Sequence, residues 1–283
     1  MTNIPEWVKT EWVERRQKQI TDFKRNESPF ESILKIRGEI AAYSRALLLK
    51  HQIFEKKFVI FGQPRTGSTL LVQLLNNQPK IYCEKEILSA KDYRKMLFPN
   101  LYIQGRRVKF SGKVYGFKLM ISQLPEEQYV DPEKFMFNLY YQGWAIIHLI
   151  RNNYLRSIIS SMLASSRNQW EAKSKSSLNY QTIKIDCNKL IELLKRREIY
   201  RVKEKEILEK LDHIKVIYEE DLLLEENHQN TCDRIFNYLG LESIPIKTKL
   251  VKTTSNQLSD VIENYEEFVE KISQTKYAKF LSN

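Results

Sequence analysis

The sequence has few cysteines and no long apolar run. Its three cysteines, Cys83, Cys187 and Cys232, are widely spaced, form no CxxC pair and have no histidine cluster nearby. This spacing argues against a disulfide framework and a cysteine-based metal site, and it favours ordinary thiols. No apolar stretch approaches the ~20 residues that a membrane-spanning helix needs. Residues 1–25 are too charged to contain the apolar core of a secretory signal, so we expect a cytoplasmic protein without a transmembrane segment.

Zinc-finger, helix-turn-helix and aromatic-rich RNA-binding motifs are also missing, although the chain is basic. Lys and Arg number 46 against 35 Asp and Glu, a formal net charge of +11. This excess favours an anionic partner, which could be a nucleic acid, an acidic membrane surface or a multiply phosphorylated nucleotide. Alternatively, much of it is solvated surface on helices such as residues 195–210. Because the nucleic-acid motifs are missing, we expect no nucleic-acid partner.

Apolar periodicity divides the chain into a helical beginning and a mixed remainder. Helical spacing covers residues 5–24, and a second helical pattern runs from Ile33 to Leu47 in steps of three and four. Short apolar runs then predict buried strands at residues 58–61, 114–120, 144–150 and 214–218. We expect residues 1–56 to form a helical lead-in packed on the same domain as residues 57–283.

Strands that alternate with helical patterns predict an α/β fold. The expected architecture is P-loop-like, with a central parallel sheet and helices on both faces. With 42% hydrophobic residues among 283, the chain can bury one such core. Residues 165–179 are rich in serine and lysine and have no apolar period. They are predicted to form a mobile loop, either a lid over a bound molecule or an ordinary surface connection.

The clearest motif, GQPRTGST at residues 62–69, follows the first predicted strand. Two glycines separated by four residues, between a strand and a helix, let backbone N–H groups and the helix dipole attract a phosphate. Ser68 stands where a nucleoside triphosphatase carries lysine, so the loop better suits a nucleotide whose 5′ end is one phosphate plus a small leaving anion. Arg65 can provide charge instead. Alternatively, the segment is only a turn rich in Gly and Pro.

A second motif follows the predicted strand at residues 144–150. Arg151 comes directly after that strand, and the next helical pattern carries Ser157 and Ser160. An arginine at the carboxyl end of a strand, with a serine on the following helix, predicts a second anion site beside the first. In the alternative interpretation, Arg151 caps a helix or pairs at the surface.

Four segments carry a resemblance to a known family: FVIFGQPRTGST (58–69), IHLIRNNYLRSIIS (147–160), VIYEEDL (216–222) with IFNYLG (235–240), and TKYAKFL (275–281) after Asn264 and Tyr265. Together they resemble the sulfotransferase superfamily, especially its bacterial and carbohydrate-modifying branches. Those enzymes take a sulfuryl group from 3′-phosphoadenosine 5′-phosphosulfate (PAPS). The chain departs from the family in an extra acidic residue after Tyr218, and in Leu70, where cytosolic animal members stack a tryptophan on adenine.

The resemblance implies how the chain would bind the donor. The phosphosulfate would be held by Arg65, Thr66, Gly67, Ser68 and Thr69. The 3′-phosphate would be held by Arg151 and Ser160, with Ser157 as the alternative if the helix register differs by one turn. We expect no metal, because no acidic cluster suitable for magnesium accompanies the loop.

The resemblance also implies which residues perform the chemistry. Lys118 matches a family lysine that cytosolic relatives follow two residues later with a catalytic histidine, but here that position is Met120, which cannot act as a base. Carbohydrate-modifying relatives use a glutamate shortly after the phosphate-loop helix, where this chain offers Glu84 and Glu86. We predict Glu86, because the family acid directly precedes an apolar helix start, with Arg65 and Lys118 neutralising the leaving phosphate. Alternatively, both glutamates are exposed residues favoured by a helix dipole.

The function implied is sulfuryl transfer from PAPS to a hydroxyl of a small acceptor, expected to be a carbohydrate or glycolipid. The alternative enzyme is a P-loop nucleotide or small-molecule kinase. Binding of the product adenosine 3′,5′-diphosphate, rather than ATP with magnesium, separates the two.

Overall fold

The computed structural model describes residues 5–25, 28–48, 56–90, 95–110, 113–166, 182–248 and 257–281 of the chain. Its helices are α1 (Thr10–Arg25), α2 (Pro29–Leu48), α3 (Ser68–Leu75), α4 (Pro99–Lys109), α5 (Pro132–Tyr141), α6 (Tyr154–Ser166), α7 (Cys187–Leu208), α8 (His228–Tyr238) and α9 (Tyr265–Ser273). Its strands are β1 (Lys57–Gly62), β2 (Ile81–Glu84), β3 (Val114–Met120), β4 (Trp144–Ile150) and β5 (Ile214–Ile217).

The five strands form one sheet in the order β2-β3-β1-β4-β5. Each neighbouring pair is parallel, and Lys57 in the central strand pairs with Tyr115 on one side and Trp144 on the other. The predicted parallel α/β sheet is therefore confirmed. The neighbours of β1 in the sheet are β3 on one side and β4 on the other. The chain thus crosses to the opposite side of β1 to form β4, which leaves a crevice at the carboxyl ends of β1 and β4. Ligands bind in this crevice in folds of this class.

Apolar side chains of alternating strand residues cover both faces of the sheet. On one face Val59 and Phe61 pack in a core with Ile103 of α4 and Met136 of α5. On the other face Phe58 and Ile60 pack in a second core, whose helical members include Leu71, Leu74, Ile235 and Phe236. Helices on both faces give the three layers that the sequence predicted.

Helix α2 forms where the periodicity predicted a helix, but its apolar residues face outward. Ile33, Ile40 and Leu47 are 54%, 57% and 68% exposed, whereas Ala42 is fully buried. The reason is close packing on α4, because a Cβ added to Gly105 would lie 1.8 Å from the Ala42 carbonyl oxygen. Ala42 and Gly105 allow this close approach, and Ile33, Ile40 and Leu47 lie on the opposite side of the helix.

All four predicted strands are present, and β2 is an additional one. Ser165 and Ser166 end α6, whereas residues 167–179 of the predicted mobile loop lie outside the described residues. Helix α1 lies against the turn at Leu124–Gln128, where Gln17 Nε2 donates a hydrogen bond of 2.6 Å to the Glu126 carbonyl oxygen. Within the described ranges, no helix is both long and apolar enough to cross a bilayer.

Candidate active site

The phosphate-loop motif connects the carboxyl end of β1 to the start of α3, as its sequence predicted. Arg65 and Gly67 both have left-handed backbone, with φ of 62° and 88°. The positive φ of Gly67 already disfavours a side chain, and a second obstacle is Tyr218. An added Cβ would lie 2.7 Å from Cδ2 of Tyr218. The loop therefore brings its backbone against the tyrosine that follows β5, and it leads directly into a helix N-terminus.

Lys118 supplies a cation beneath this loop from the neighbouring strand. It pairs in register with Ile60 of β1. Its Nζ lies 3.3 Å from Ser68 Oγ and 3.4 Å from Thr69 Oγ1. The sequence motif has Ser68 where a P-loop carries lysine, and Lys118 of β3 places an ammonium group at the loop instead. A small cleft here is lined by residues that include Gly62, Gln63, Thr66, Ser68, Lys118 and Met120.

Arg65 and Ser160 meet across the crevice between β1 and β4. The Arg65 guanidinium donates to Ser160 Oγ from Nε at 3.2 Å and from Nη2 at 2.9 Å. Arg151 Nη1 in turn donates to the Arg65 carbonyl oxygen at 3.1 Å. The two motifs that the sequence separates by more than eighty residues therefore form one cationic surface. Ser157 Oγ donates to the Tyr154 carbonyl oxygen at 2.8 Å within α6.

Arg151 is a partly buried cation within this surface. Its guanidinium carbon lies 4.5 Å from the centre of the Tyr218 ring. Its Nε is buried without a hydrogen-bond partner. Burial lowers the pKa of Arg151, although Tyr218 and Glu219 act to raise it. An arginine held in this way is disposed to accept an anion, whose negative charge would offset its loss of hydration.

Glu86 lies beside Lys118, at the edge of the phosphate loop. Its Oε1 is 2.8 Å from Lys118 Nζ, and its Oε2 accepts a hydrogen bond of 2.9 Å from Gln123 Nε2. The expected helix after Glu86 is absent, because the next residues form a turn that buries Ile87 and Leu88. The turn forms because Ser89 N–H bonds back to the Glu86 carbonyl oxygen at 3.1 Å. The predicted helix start at Ile87 and Leu88 was therefore wrong, whereas the position of Glu86 beside Lys118 is an independent argument for Glu86.

Glu84, at the end of β2, has a different environment. Both of its carboxylate oxygens accept hydrogen bonds from Arg106, and Tyr115 Oη donates to Oε1 at 2.5 Å. Burial and the Glu84 carboxylate together raise the pKa of Tyr115 well above its ordinary value. The alternative that Glu84 is an exposed helix-start residue is therefore wrong, since it is buried at the end of a strand. Its partners hold the carboxylate inside the fold, away from the phosphate loop.

Sequence reasoning missed Gln123, which orients Glu86. Gln123 Oε1 accepts from the Met120 backbone N–H at 3.1 Å, so its amide group is fixed at both ends. A single glutamine in a turn after a strand carries no recognisable signal. His148 is buried in β4, with Nε2 3.5 Å from Glu204 Oε2.

Within the described residues, no group of three or more His, Cys, Asp or Glu side chains could hold a metal ion. No protein-family model matches the sequence. No curated protein matches it. Among solved structures, mouse sulfotransferase SULT7A1 complexed with PAP is similar with a TM-score of 0.41 and 12% sequence identity, over 86% of this chain and 93% of that one. A likeness of this strength does not assign the chain to a family.

Proposed function

We propose that this protein is a PAPS-dependent sulfotransferase that transfers a sulfuryl group to a hydroxyl of a small acceptor. The observation that carries the proposal is a pair of polar and cationic side-chain groups at adjacent strand ends. One is the phosphate loop with Lys118 beneath it, and the other is Arg151 with Ser160. The Arg65 guanidinium joins them through Ser160. A nucleotide with phosphates at both its 5′ and 3′ positions has the charge distribution that this arrangement suits.

The donor would lie across the carboxyl ends of β1 and β4. Backbone N–H groups of residues 66–69 and the start of α3 would bind the 5′-phosphosulfate. Arg151 and Ser160 would bind the 3′-phosphate through a charge-assisted contact and a hydroxyl donor. The Tyr218 ring lies between Gly67 and Arg151, so it would contact the nucleotide between its two phosphate groups.

Glu86 would act as the general base. Its carboxylate takes the proton of the acceptor hydroxyl while that oxygen forms a bond to sulfur. The bond between sulfur and the bridging oxygen breaks, and its electrons remain on the 5′-phosphate of adenosine 3′,5′-diphosphate. Lys118 and Arg65 neutralise the charge that develops on this leaving oxygen. Lys118 lies between Ser68 and Glu86, so it connects the leaving-group side of the reaction to the base.

The acceptor class follows from the kind of base. A glutamate after the phosphate-loop helix, in place of a histidine after the lysine strand, is the arrangement of the carbohydrate-modifying relatives that the sequence resembles. We therefore propose a carbohydrate or glycolipid hydroxyl as the acceptor. Sulfuryl transfer from labelled donor into fractionated cell extracts, followed by mass identification of the product, tests this class directly.

Thermal unfolding with nucleotides tests the donor assignment. Adenosine 3′,5′-diphosphate at 100 times its Kd should stabilise the fold by about 2.7 kcal/mol, which raises Tm by several degrees. The shift should persist in EDTA, because the proposed contacts need no metal. A larger shift with ATP and magnesium, or a shift that EDTA abolishes, would support the kinase alternative and contradict the proposal.

A further inference from the structure

The turn at residues 123–128 buries four polar side chains. Gln123 and Gln128 are buried, and so are the two carboxylates between them, those of Glu126 and Glu127. A buried carboxylate is stable only where it is paired and hydrogen-bonded, and apolar residues of similar size would often stabilise such a turn equally well. The contacts of these polar side chains therefore indicate what the turn does besides packing.

Three of these side chains form hydrogen bonds with every second residue of the segment at residues 86–90, which carries the proposed base. Gln123 donates to the Glu86 carboxylate at 2.9 Å, Gln128 donates to the Leu88 carbonyl oxygen at 2.8 Å, and Glu127 accepts from the Ala90 backbone N–H at 2.7 Å. Because this segment belongs to no strand or helix, the three contacts help to fix the position of Glu86 beside Lys118.

Glu127 also connects this segment to helix α1. Its Oε2 accepts from Ala90, and its Oε1 accepts from Arg16 Nε at 2.9 Å. Arg16 Nη2 donates to the same oxygen. The Glu127 side chain is 5% exposed and that of Arg16 is 30% exposed. The carboxylate thus bridges two donors on separate parts of the chain, which an amide with a single acceptor oxygen could not do in the same geometry.

We propose that Glu127 is a positioning residue for Glu86 and that Arg16 of helix α1 holds Glu127 in place. The inference rests on the proposed function, because it takes Glu86 to be the general base. Glu127 anchors the backbone at Ala90, while Gln123 orients the Glu86 carboxylate itself. A displacement of about 1 Å at a reacting group can cost on the order of 100-fold in rate, so these contacts affect turnover without touching donor or acceptor. Helix α1, which no recognised motif covers, thereby contributes to the reaction.

The variant Glu127→Gln tests this role, because glutamine keeps the size of the side chain and loses one of the two acceptor oxygens. The measurement is the initial rate of sulfuryl transfer from labelled PAPS to an extract fraction that accepts label from the wild type, corrected for the folded fraction. We expect kcat to fall roughly 10- to 100-fold, because Glu86 is displaced. KM for PAPS and the affinity for adenosine 3′,5′-diphosphate should stay close to those of the wild type, since the proposed donor contacts do not include Glu127.

Two neighbouring arginines of α1 provide a matched pair of variants. Arg16→Gln removes the partner of Glu127 and should lower kcat in the same direction, so it carries the test should Glu127→Gln fold poorly. Arg15→Gln is the control. The Arg15 side chain is 58% exposed and pairs with Glu11 and Glu192, so its loss should leave kcat at the wild-type value.

A double variant shows whether Glu127 acts through Glu86. Once Glu86→Gln has removed the base, its position no longer matters for proton transfer. Adding Glu127→Gln to Glu86→Gln should therefore cause no further loss of kcat. A further loss as large as that caused by Glu127→Gln alone would show that Glu127 acts independently, and it would overturn the proposal.

The remaining outcomes separate this inference from the proposed function. If the wild type transfers label to no fraction, the proposed function is overturned, and the inference falls with it. If the wild type is active and Glu127→Gln only lowers the urea midpoint, with wild-type turnover per folded molecule, Glu127 serves packing alone and the inference is overturned by itself. A raised KM for PAPS with unchanged kcat would assign the effect of Glu127 to the donor site and would also contradict the inference.

Discussion

Glu84 and Glu86 are separated by one residue in the sequence, yet their side chains lie in different environments. Glu84 is enclosed by Arg106 and Tyr115, and its side chain is 7% exposed. The Glu86 side chain is 27% exposed and contacts Lys118 at the phosphate loop. A general base must reach both the acceptor and the donor, and of these two carboxylates Glu86 is the more accessible.

Replacement of Glu86 by glutamine should remove the base and leave the shape of the site. We expect kcat to fall roughly 100-fold or more, while the affinity for adenosine 3′,5′-diphosphate stays close to that of the wild type. Steady-state kinetics combined with calorimetric titration measures both quantities. Wild-type kcat in Glu86→Gln would mean that another group takes the proton.

The matched variant Glu84→Gln should mainly lower the stability of the fold. The change leaves the Arg106 guanidinium, 18% exposed, without its carboxylate partner. Breaking a buried pair in this way destabilises by on the order of 3 kcal/mol. A lower urea midpoint with retained turnover per folded molecule is the expected result. A stable Glu84→Gln with lost turnover would instead transfer the role of base to Glu84.

Among the residues of the site, those in motifs could be predicted and those brought in by packing could not. Arg65, Ser160 and Arg151 are predictable because parallel strands place their carboxyl ends on one edge of the sheet. Gln123 and Glu127 were missed, since neither occupies a strand end with a recognisable pattern. The contact of Glu127 with Arg16 spans 111 residues of sequence, and no local pattern records it.

At the scale of secondary-structure elements, the crossing of α2 and α4 depends on the absence of a side chain at Gly105. The Ala42 carbonyl oxygen occupies the position where a Cβ would lie, and Arg45 Nε donates to the Gly105 carbonyl oxygen at 3.1 Å. The periodicity of α2 could predict a helix but not its orientation. The buried side is chosen by the small residues that allow close approach, rather than by the larger apolar ones.

Gly105→Ala should therefore separate the two helices and destabilise the fold. Overpacking of this kind costs about 1–3 kcal/mol, which urea denaturation can measure. The control is Gly38→Ala, in the middle of α2, where an added Cβ meets nothing within 4 Å. That variant should be more stable by about 0.5–1 kcal/mol, because alanine is the better helix former. Equal effects of the two variants would show that the crossing is looser than described.

Strand prediction depended on the apolar content of each run. Four strands are runs of apolar residues, and they were recognised for that reason. Strand β2 has only four residues, Ile81–Glu84, and ends in a charged one. The charge of Glu84 is tolerated at the end of this strand because Arg106 of α4 pairs with it. The sequence of the strand alone does not predict this contact.

At the scale of the whole molecule, the net charge of +11 and the desolvated guanidinium of Arg151 act in the same direction. Both raise the electrostatic energy of the compact chain, and an anion bound at Arg151 would lower it. We expect sulfate or phosphate to raise Tm more than chloride does at equal ionic strength. Because such anions also act on proteins in general, the comparison requires Arg151→Gln, in which the difference between sulfate and chloride should shrink. An unchanged difference would indicate that the anions do not act at Arg151.

The strand order also determines when the site can exist during synthesis. β1 is made first among the strands, but its partners in the sheet are Val114–Met120 and Trp144–Ile150. A growing chain therefore carries an unpaired apolar strand until both of those segments have left the ribosome. Tyr218, which packs on Gly67, comes later still. The proposed nucleotide site can therefore form only late in translation, and until then the unpaired strand is a natural target for chaperones.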